Sequence, residues 1–213
     1  MRIWFRYVLY LIVFIGNNSA HAGAYEDFFR AVKLDDGRSV SALLQRGFDP
    51  NSRDETGQIA LFSAFREGAL KVVEVLFQHP SIQIGVRNEA GETPLMMAAL
   101  RGQREWVLRL LDRGLAVNQE GWTALHYAAT GSDSTAVVEL LLARGAAVDA
   151  RSPNGSTPLM MAARYGSEAS VDLLLARGAN AGARNERNFN AADFARMVGR
   201  DSLAARLDAA APR

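Results

Sequence analysis

Residues 91–102 read GETPLMMAALRG, and residues 155–166 read GSTPLMMAARYG. Two looser copies stand at 57–68 (GQIALFSAFREG) and 121–131 (GWTALHYAATG). Each copy is followed by a second apolar stretch: VVEVLFQ (72–78), WVLRLLDRG (106–114), AVVELLLARG (136–145) and VDLLLARG (171–178). The leading glycines Gly57, Gly91, Gly121 and Gly155 are spaced 34, 30 and 34 residues apart. Self-similarity at such a period is the mark of a stacked array, in which one helical pair cannot bury its apolar surface without its neighbours.

The residue types have local reasons. Thr93-Pro94 and Thr157-Pro158 open a helix, because Thr caps the free N–H groups and Pro at the first helical position has no N–H to lose. The pairs Ala98-Ala99, Ala128-Ala129 and Ala162-Ala163 are small enough for neighbouring first helices to approach closely. The second helix carries the larger Leu and Val. Gly47, Gly114, Gly145 and Gly178 follow it, at the position where a left-handed residue ends a helix.

This ordered set of features resembles the ankyrin repeat, a unit of about 33 residues with a T-P-L-H-x-A signature. The resemblance runs over residues 25–213 and implies an all-α fold: an ankyrin-repeat α-solenoid of helix–turn–helix units with projecting β-turns. About six units are expected, at about 25–53, 54–87, 88–117, 118–150, 151–183 and 184–213, within a single domain spanning 23–213. The first and last depart from the consensus, as terminal repeats do when one face meets water. Two departures fall in loops. The turn from Ala116 to Gly121 is three residues shorter than its counterpart Ala147–Gly155, which truncates one projecting turn and is expected to leave a notch floored by Trp122. The loop Thr130–Thr135 is one residue longer than its counterpart.

The N-terminus is different in kind. Residues 1–22 place Arg2 and Arg6 before an apolar run from Val8 to Ile15, then a polar stretch and Ala20-His21-Ala22. That is the plan of a secretory signal cleaved after Ala22, and the apolar run is short of the roughly 17–25 residues a membrane span needs. The chain has 213 residues, 24 Lys and Arg against 23 Asp and Glu, and no Cys. Loss of 1–22 removes two arginines and no acid, leaving 191 residues and a net charge of −1. Export of a chain without disulfides points to a bacterial periplasm, and near-neutrality argues against a nucleic-acid partner.

Catalytic and metal signatures are missing. The Cys-free chain has no H-x-x-H, no HExxH, no G-x-S-x-G elbow and no phosphate loop, so neither an enzyme activity nor a cofactor or metal is expected. His126 fills the His of the repeat signature and reads as a helix-start residue bonded to neighbouring loops, and His79 as a cation at a helix end. The pairs Met96-Met97 and Met160-Met161 read as core. Arg46, Arg113, Arg144 and Arg177 each precede a helix-ending glycine and complement the helix dipole.

In ankyrin proteins partners dock on the concave surface of turn tips and first-helix ends. Carried onto this sequence, the resemblance implies Glu89, Glu92, Arg101, Trp122, Arg151, Asn154, Arg164 and Tyr165 as partner-binding residues. Trp, Tyr and Arg are the types most enriched among binding hot spots. The expected function is a non-catalytic, monomeric protein-binding module in the periplasm, with no membrane anchor once the signal is removed. The chain is similar to small secreted bacterial ankyrin proteins, which implies two narrower roles: an immunity protein that blocks a toxin delivered to the periplasm, or an accessory factor in defence against peroxide.

Overall fold

A computed structural model describes residues 23–211. The signal-type segment and the expected cleavage site after Ala22 lie outside the described residues. Two compact units divide the chain, Met1–Gln83 and Ile84–Arg213. The first holds α1 (23–33), α2 (Gly37–Gln45), α3 (Ala60–Glu67) and α4 (Leu70–Gln78). The second holds α5 (Pro94–Leu100), α6 (Arg104–Asp112), α7 (Ala124–Thr130), α8 (Thr135–Ala143), α9 (Pro158–Tyr165), α10 (Glu168–Ala176), α11 (Ala191–Arg196) and α12 (Asp201–Ala210). Among the described residues these make six helical pairs, no strand forms, and the only bridge joins Arg53 to Ile59.

In the first unit, Phe28, Val32, Val40, Leu61, Phe65, Val72 and Leu76 are all buried. Helix α4 starts after Ala69, which has no side-chain oxygen to cap it. Asp35 supplies the cap from a distance. Its backbone is left-handed (φ 52°), and its Oδ1 accepts the N–H groups of Lys71 at 2.9 Å and Val72 at 3.0 Å. Two of the four free N–H groups of α4 are thereby satisfied by the loop between α1 and α2.

In the second unit the first helices α5, α7, α9 and α11 pack in succession, and the second helices α6, α8 and α10 form a parallel row behind them. The sequence dictates this. Thr93, Thr123 and Thr157 hold extended backbone before α5, α7 and α9, and each side chain accepts the N–H three residues on. Asn190 does the same before α11 with Asp193. The reciprocal bond comes from whatever stands at that third position: Met96 Sδ, His126 Nδ1, Met160 Sδ or the Asp193 carboxylate accepts the cap residue's own N–H. Met96 and Met160 are buried, as the sequence implies.

The alanines allow close approach. Gly166 shows how close: a Cβ there would lie 2.2 Å from the Ala129 carbonyl oxygen of the preceding first helix. The glycines after the second helices, Gly47, Gly114, Gly145 and Gly178, all have φ between 85° and 91°, the left-handed C′ state expected from their positions. Two of the arginines before them tie successive second helices: Arg144 pairs with Asp112 at 2.9 Å and Arg177 with Glu139 at 3.7 Å. At the C-terminal end, Arg200 Nη1 donates to the carbonyls of Ala162, Ala163 and Gly166 where α9 ends, and Ala162 O also accepts the Gly166 N–H.

Candidate functional site

The turns before the first helices share one construction. In 54–58, 88–92, 152–156 and 185–189 the first N–H donates to the fifth carbonyl, at 2.8, 3.0, 3.0 and 3.0 Å. The first side chain, Asp54, Asn88, Ser152 or Asn185, accepts the fifth N–H at 2.9–3.0 Å. In three of the four an arginine one residue ahead closes the turn, while Arg87, ahead of 88–92, is exposed and makes no such bond. Arg53 donates to Gly57 O at 2.6 Å, Arg151 to Gly155 O at 3.0 Å, and Arg184 to Asn188 O at 2.6 Å. Arg151 also reaches Arg184 O at 2.6 Å, so it clasps two successive turns.

The shortened turn lacks this frame. Asn118 holds Gly145 O and Ala147 N as Asn51 holds Ser81 O and Gln83 N, so the deletion falls immediately after it. The arginine and the turn-opening residue are what has gone. Gln119 Nε2 donates to Trp122 O at 2.7 Å and closes the remainder. A cavity of about 300 Å3 opens here, lined among others by Arg87, Leu95, Leu115, Asn118 and Gln119. Trp122 does not line it.

Trp122 instead turns onto the first helix that follows. Its half-buried ring meets His126 edge-on at 5.2 Å and Tyr127 edge-on at 6.5 Å. His126 is fully buried. The Thr123 N–H points at its Nδ1 (3.2 Å), so the ring proton sits on Nε2 and is donated to Ser156 O in the next turn at 3.0 Å. Burial lowers its pKa from 6.5 to about 4, outweighing the backbone hydrogen bonds that favour the cation. Tyr127 Oη donates to Glu92 Oε1 at 2.5 Å, and Asn88 Nδ2 donates to Glu92 Oε2 at 2.8 Å. Burial first, and the Glu92 carboxylate second, push the Tyr127 hydroxyl up from 10. Both oxygens of Glu92 are therefore engaged within the fold.

A second grouping sits at the ends of α9 and α11. The Arg164 guanidinium lies 5.0 Å from the Tyr165 ring and 5.9 Å from Phe194, and its Nη1 is 3.9 Å from Met197 Sδ. Phe189 meets Phe194 edge-on at 6.5 Å. Glu89 and Arg101 are exposed. Asn154 is exposed but holds its turn, its Oδ1 accepting from Ser152 Oγ at 2.7 Å. The eight sequence-predicted residues thus all lie in the second unit. Trp122 and Glu92 are linked through Tyr127, while Arg164 and Tyr165 form a separate cluster. Tyr127, Phe194 and Met197 were missed by sequence reasoning.

A family model described as "Ankyrin repeats (3 copies)" matches residues 28–120 and 110–185. The chain belongs to the ankyrin repeat family. Curated relatives include human neurogenic locus notch homolog protein 4, 48% identical over 82 residues, which are 37% of this chain and 4% of that protein. Mouse Rabankyrin-5 is 31% identical over 136 residues, 61% of this chain and 12% of that protein. The chain thus spans a small part of these relatives.

Solved structures agree on the ankyrin-repeat α-solenoid class. One similar chain is in the structure of the Bd0816 predatory endopeptidase from Bdellovibrio bacteriovorus in complex with immunity protein Bd3460. It has a TM-score of 0.70 and 27% identity, covering 86% of this chain and 97% of that one. The human ASB11 ankyrin repeat domain has a TM-score of 0.68 and 28% identity, covering 83% of this chain and 80% of that one. Ankyrin repeats are in general protein–protein interaction modules. The capping, turn and glycine residues serve the repeat itself. The side chains of Trp122, Arg164 and Tyr165 make none of these capping or turn hydrogen bonds.

Proposed function

We propose that this ankyrin protein is a non-catalytic binding module that is exported to the periplasm and captures a protein partner, as a monomer, on the turn-tip and first-helix side of its second unit. The observation that carries the reading is the composition of that side. An aromatic from the shortened turn, Trp122, and an exposed aromatic–arginine cluster at Tyr165 and Arg164 stand where repeat geometry asks for neither. Such residues dominate the energetics of protein interfaces. The test is affinity capture of the tagged full chain from a periplasmic extract, repeated with Trp122→Ala and with Tyr165→Ala. A partner retained by the wild type and lost by the variants supports the reading. Equal retention by all three places the interface elsewhere.

A narrower reading has one specific support. The similarity to a chain of the endopeptidase–immunity complex covers nearly the whole of that chain. On this reading the partner is a lytic or proteolytic enzyme and the ankyrin chain blocks it. Adding an equimolar amount of the chain to endopeptidases exported by the same cell should abolish the activity of one of them. Undiminished activity across the set counts against the immunity role and leaves the binding-module reading standing.

A further inference from the structure

Many arginines of the second unit have partners within the fold, while Arg87, Arg101, Arg104 and Arg187 stand exposed in solvent. Arg144 pairs with Asp112, Arg177 with Glu139, and Arg206 with Glu168 and Asp172. Arg151 and Arg200 spend their donors on backbone carbonyls. Arg164 is different. It is half-buried, its one hydrogen bond among the described residues is to a thioether sulfur at 3.9 Å, and its Nε is buried without an acceptor. A guanidinium has five donors and no acceptor, and no oxygen of the described residues takes any of these five.

Its surroundings are apolar and open. The exposed large apolar side chains of the second unit are Tyr165, Phe189, Met197 and Val198, at 52, 36, 46 and 43% exposure. Tyr165 ends α9, Phe189 closes the turn before α11, and Met197 and Val198 follow the end of α11. Exposed apolar side chains concentrated in this way mark an interaction site. The rings of Tyr165 and Phe194 also hold the guanidinium in place, so less side-chain freedom is lost when a ligand arrives.

We propose that Arg164 receives a carboxylate from an acidic side chain of the protein partner, while an apolar neighbour of that acid covers Tyr165 and Met197. This rests on the binding-module reading and specifies what the partner must present: Asp or Glu next to a large apolar residue. Charge complementarity selects an acid, because a planar guanidinium matches a carboxylate with two parallel hydrogen bonds. The apolar rim selects its neighbour and excludes the water that would weaken the pair.

The test uses a phage-displayed random peptide library selected on the immobilised full chain. Selected peptides should be enriched in an acid adjacent to Leu, Phe or Trp. Synthesised with a fluorophore, such a peptide should bind Arg164→Gln and Tyr165→Ala about tenfold or more weakly than wild type, with unchanged melting temperature. Arg164→Lys should retain part of the affinity, and Arg164→Glu should regain binding to a peptide whose acid is replaced by Lys. Peptides without an acid, or equal affinity for wild type and Arg164→Gln, overturn the proposal. If Trp122→Ala weakens binding and Arg164→Gln does not, this inference fails and the binding-module reading survives. If no library member binds, or no first-helix-side substitution matters, both fail.

Discussion

The Tyr127 hydroxyl donates to the Glu92 carboxylate at 2.5 Å, joining α7 to the turn that opens the preceding repeat, 35 residues earlier. Hydrogen bonds to ionised groups contribute more than neutral ones, on the order of 1.5–3 kcal/mol. Tyr127→Phe is therefore expected to destabilise the chain by about 2 kcal/mol, read as a fall in the denaturant midpoint. Glu92→Gln keeps an acceptor and should cost less. A double-mutant cycle should give a coupling of at least about 1 kcal/mol. Additive single effects would show that the two groups act independently.

His126 sets an acid limit. Its pKa is depressed from 6.5 to about 4 by burial. Below pH 6.5 the unfolded chain binds the proton first, so stability is full above that pH and falls as the pH drops toward 4. Each tenfold difference in proton affinity between the folded and unfolded chains is worth about 1.4 kcal/mol, so the loss approaches roughly 3 kcal/mol. His126→Met should abolish this fall, since Met96 and Met160 make the same cap contact through sulfur. It should cost about 1 kcal/mol at pH 7 for the lost bond to Ser156 O. Urea unfolding at pH 7 and pH 4.5 measures both. An equal drop in the two proteins would assign the pH dependence to other groups.

The first-helix core responds to lost volume. Leu125 and Leu159 are essentially inaccessible to solvent. Either one changed to Ala should cost about 2–5 kcal/mol. Unfolding like that of the wild type would contradict the packing described.

Gly166 tests the opposite error. A methyl group there would sit against Ala129 O and Ala162 Cα, both backbone atoms with little room to move. Gly166→Ala should destabilise by about 1–3 kcal/mol as an overpacked contact. Gly145→Ala meets no neighbouring atom but carries φ 85°, so its penalty is conformational. A stabilised Gly166→Ala would show that the two first helices are further apart than described.

How much was legible in the sequence follows from the range of each interaction. Thr93, Thr157 and the helix-ending glycines act within a few residues, and repetition at a fixed period makes each visible several times. The caps, pairs and left-handed residues were therefore readable. The shortened turn was readable as a length. Where Trp122 would turn was not, because His126 and Tyr127 take it up only once α7 is formed. Glu92 reads as a free turn residue until Tyr127 is placed beside it. One clue was present: Tyr127 occupies the register of Met97 and Met161, so a polar tip there needs a partner. The clasp made by Arg151 was only partly legible: an arginine stands four residues before a turn glycine or asparagine at Arg53, Arg87, Arg151 and Arg184, yet Arg87 makes no such bond and, among the described residues, Arg151 alone reaches a second turn. The isolation of Arg164 could not be read, because it depends on which acids α11 and its flanking turns leave out of reach.

The most direct measurement of the central claim, that the turn-tip and first-helix side carries the interface, is site-specific photo-crosslinking. A photoreactive amino acid is placed in turn at Trp122, at Tyr165 and, on the second-helix side, at the exposed Asp172, and each full chain is irradiated in a periplasmic extract. A covalent adduct of one defined mass from Trp122 and Tyr165, and none from Asp172, is the expected result. An adduct from Asp172 alone would contradict it.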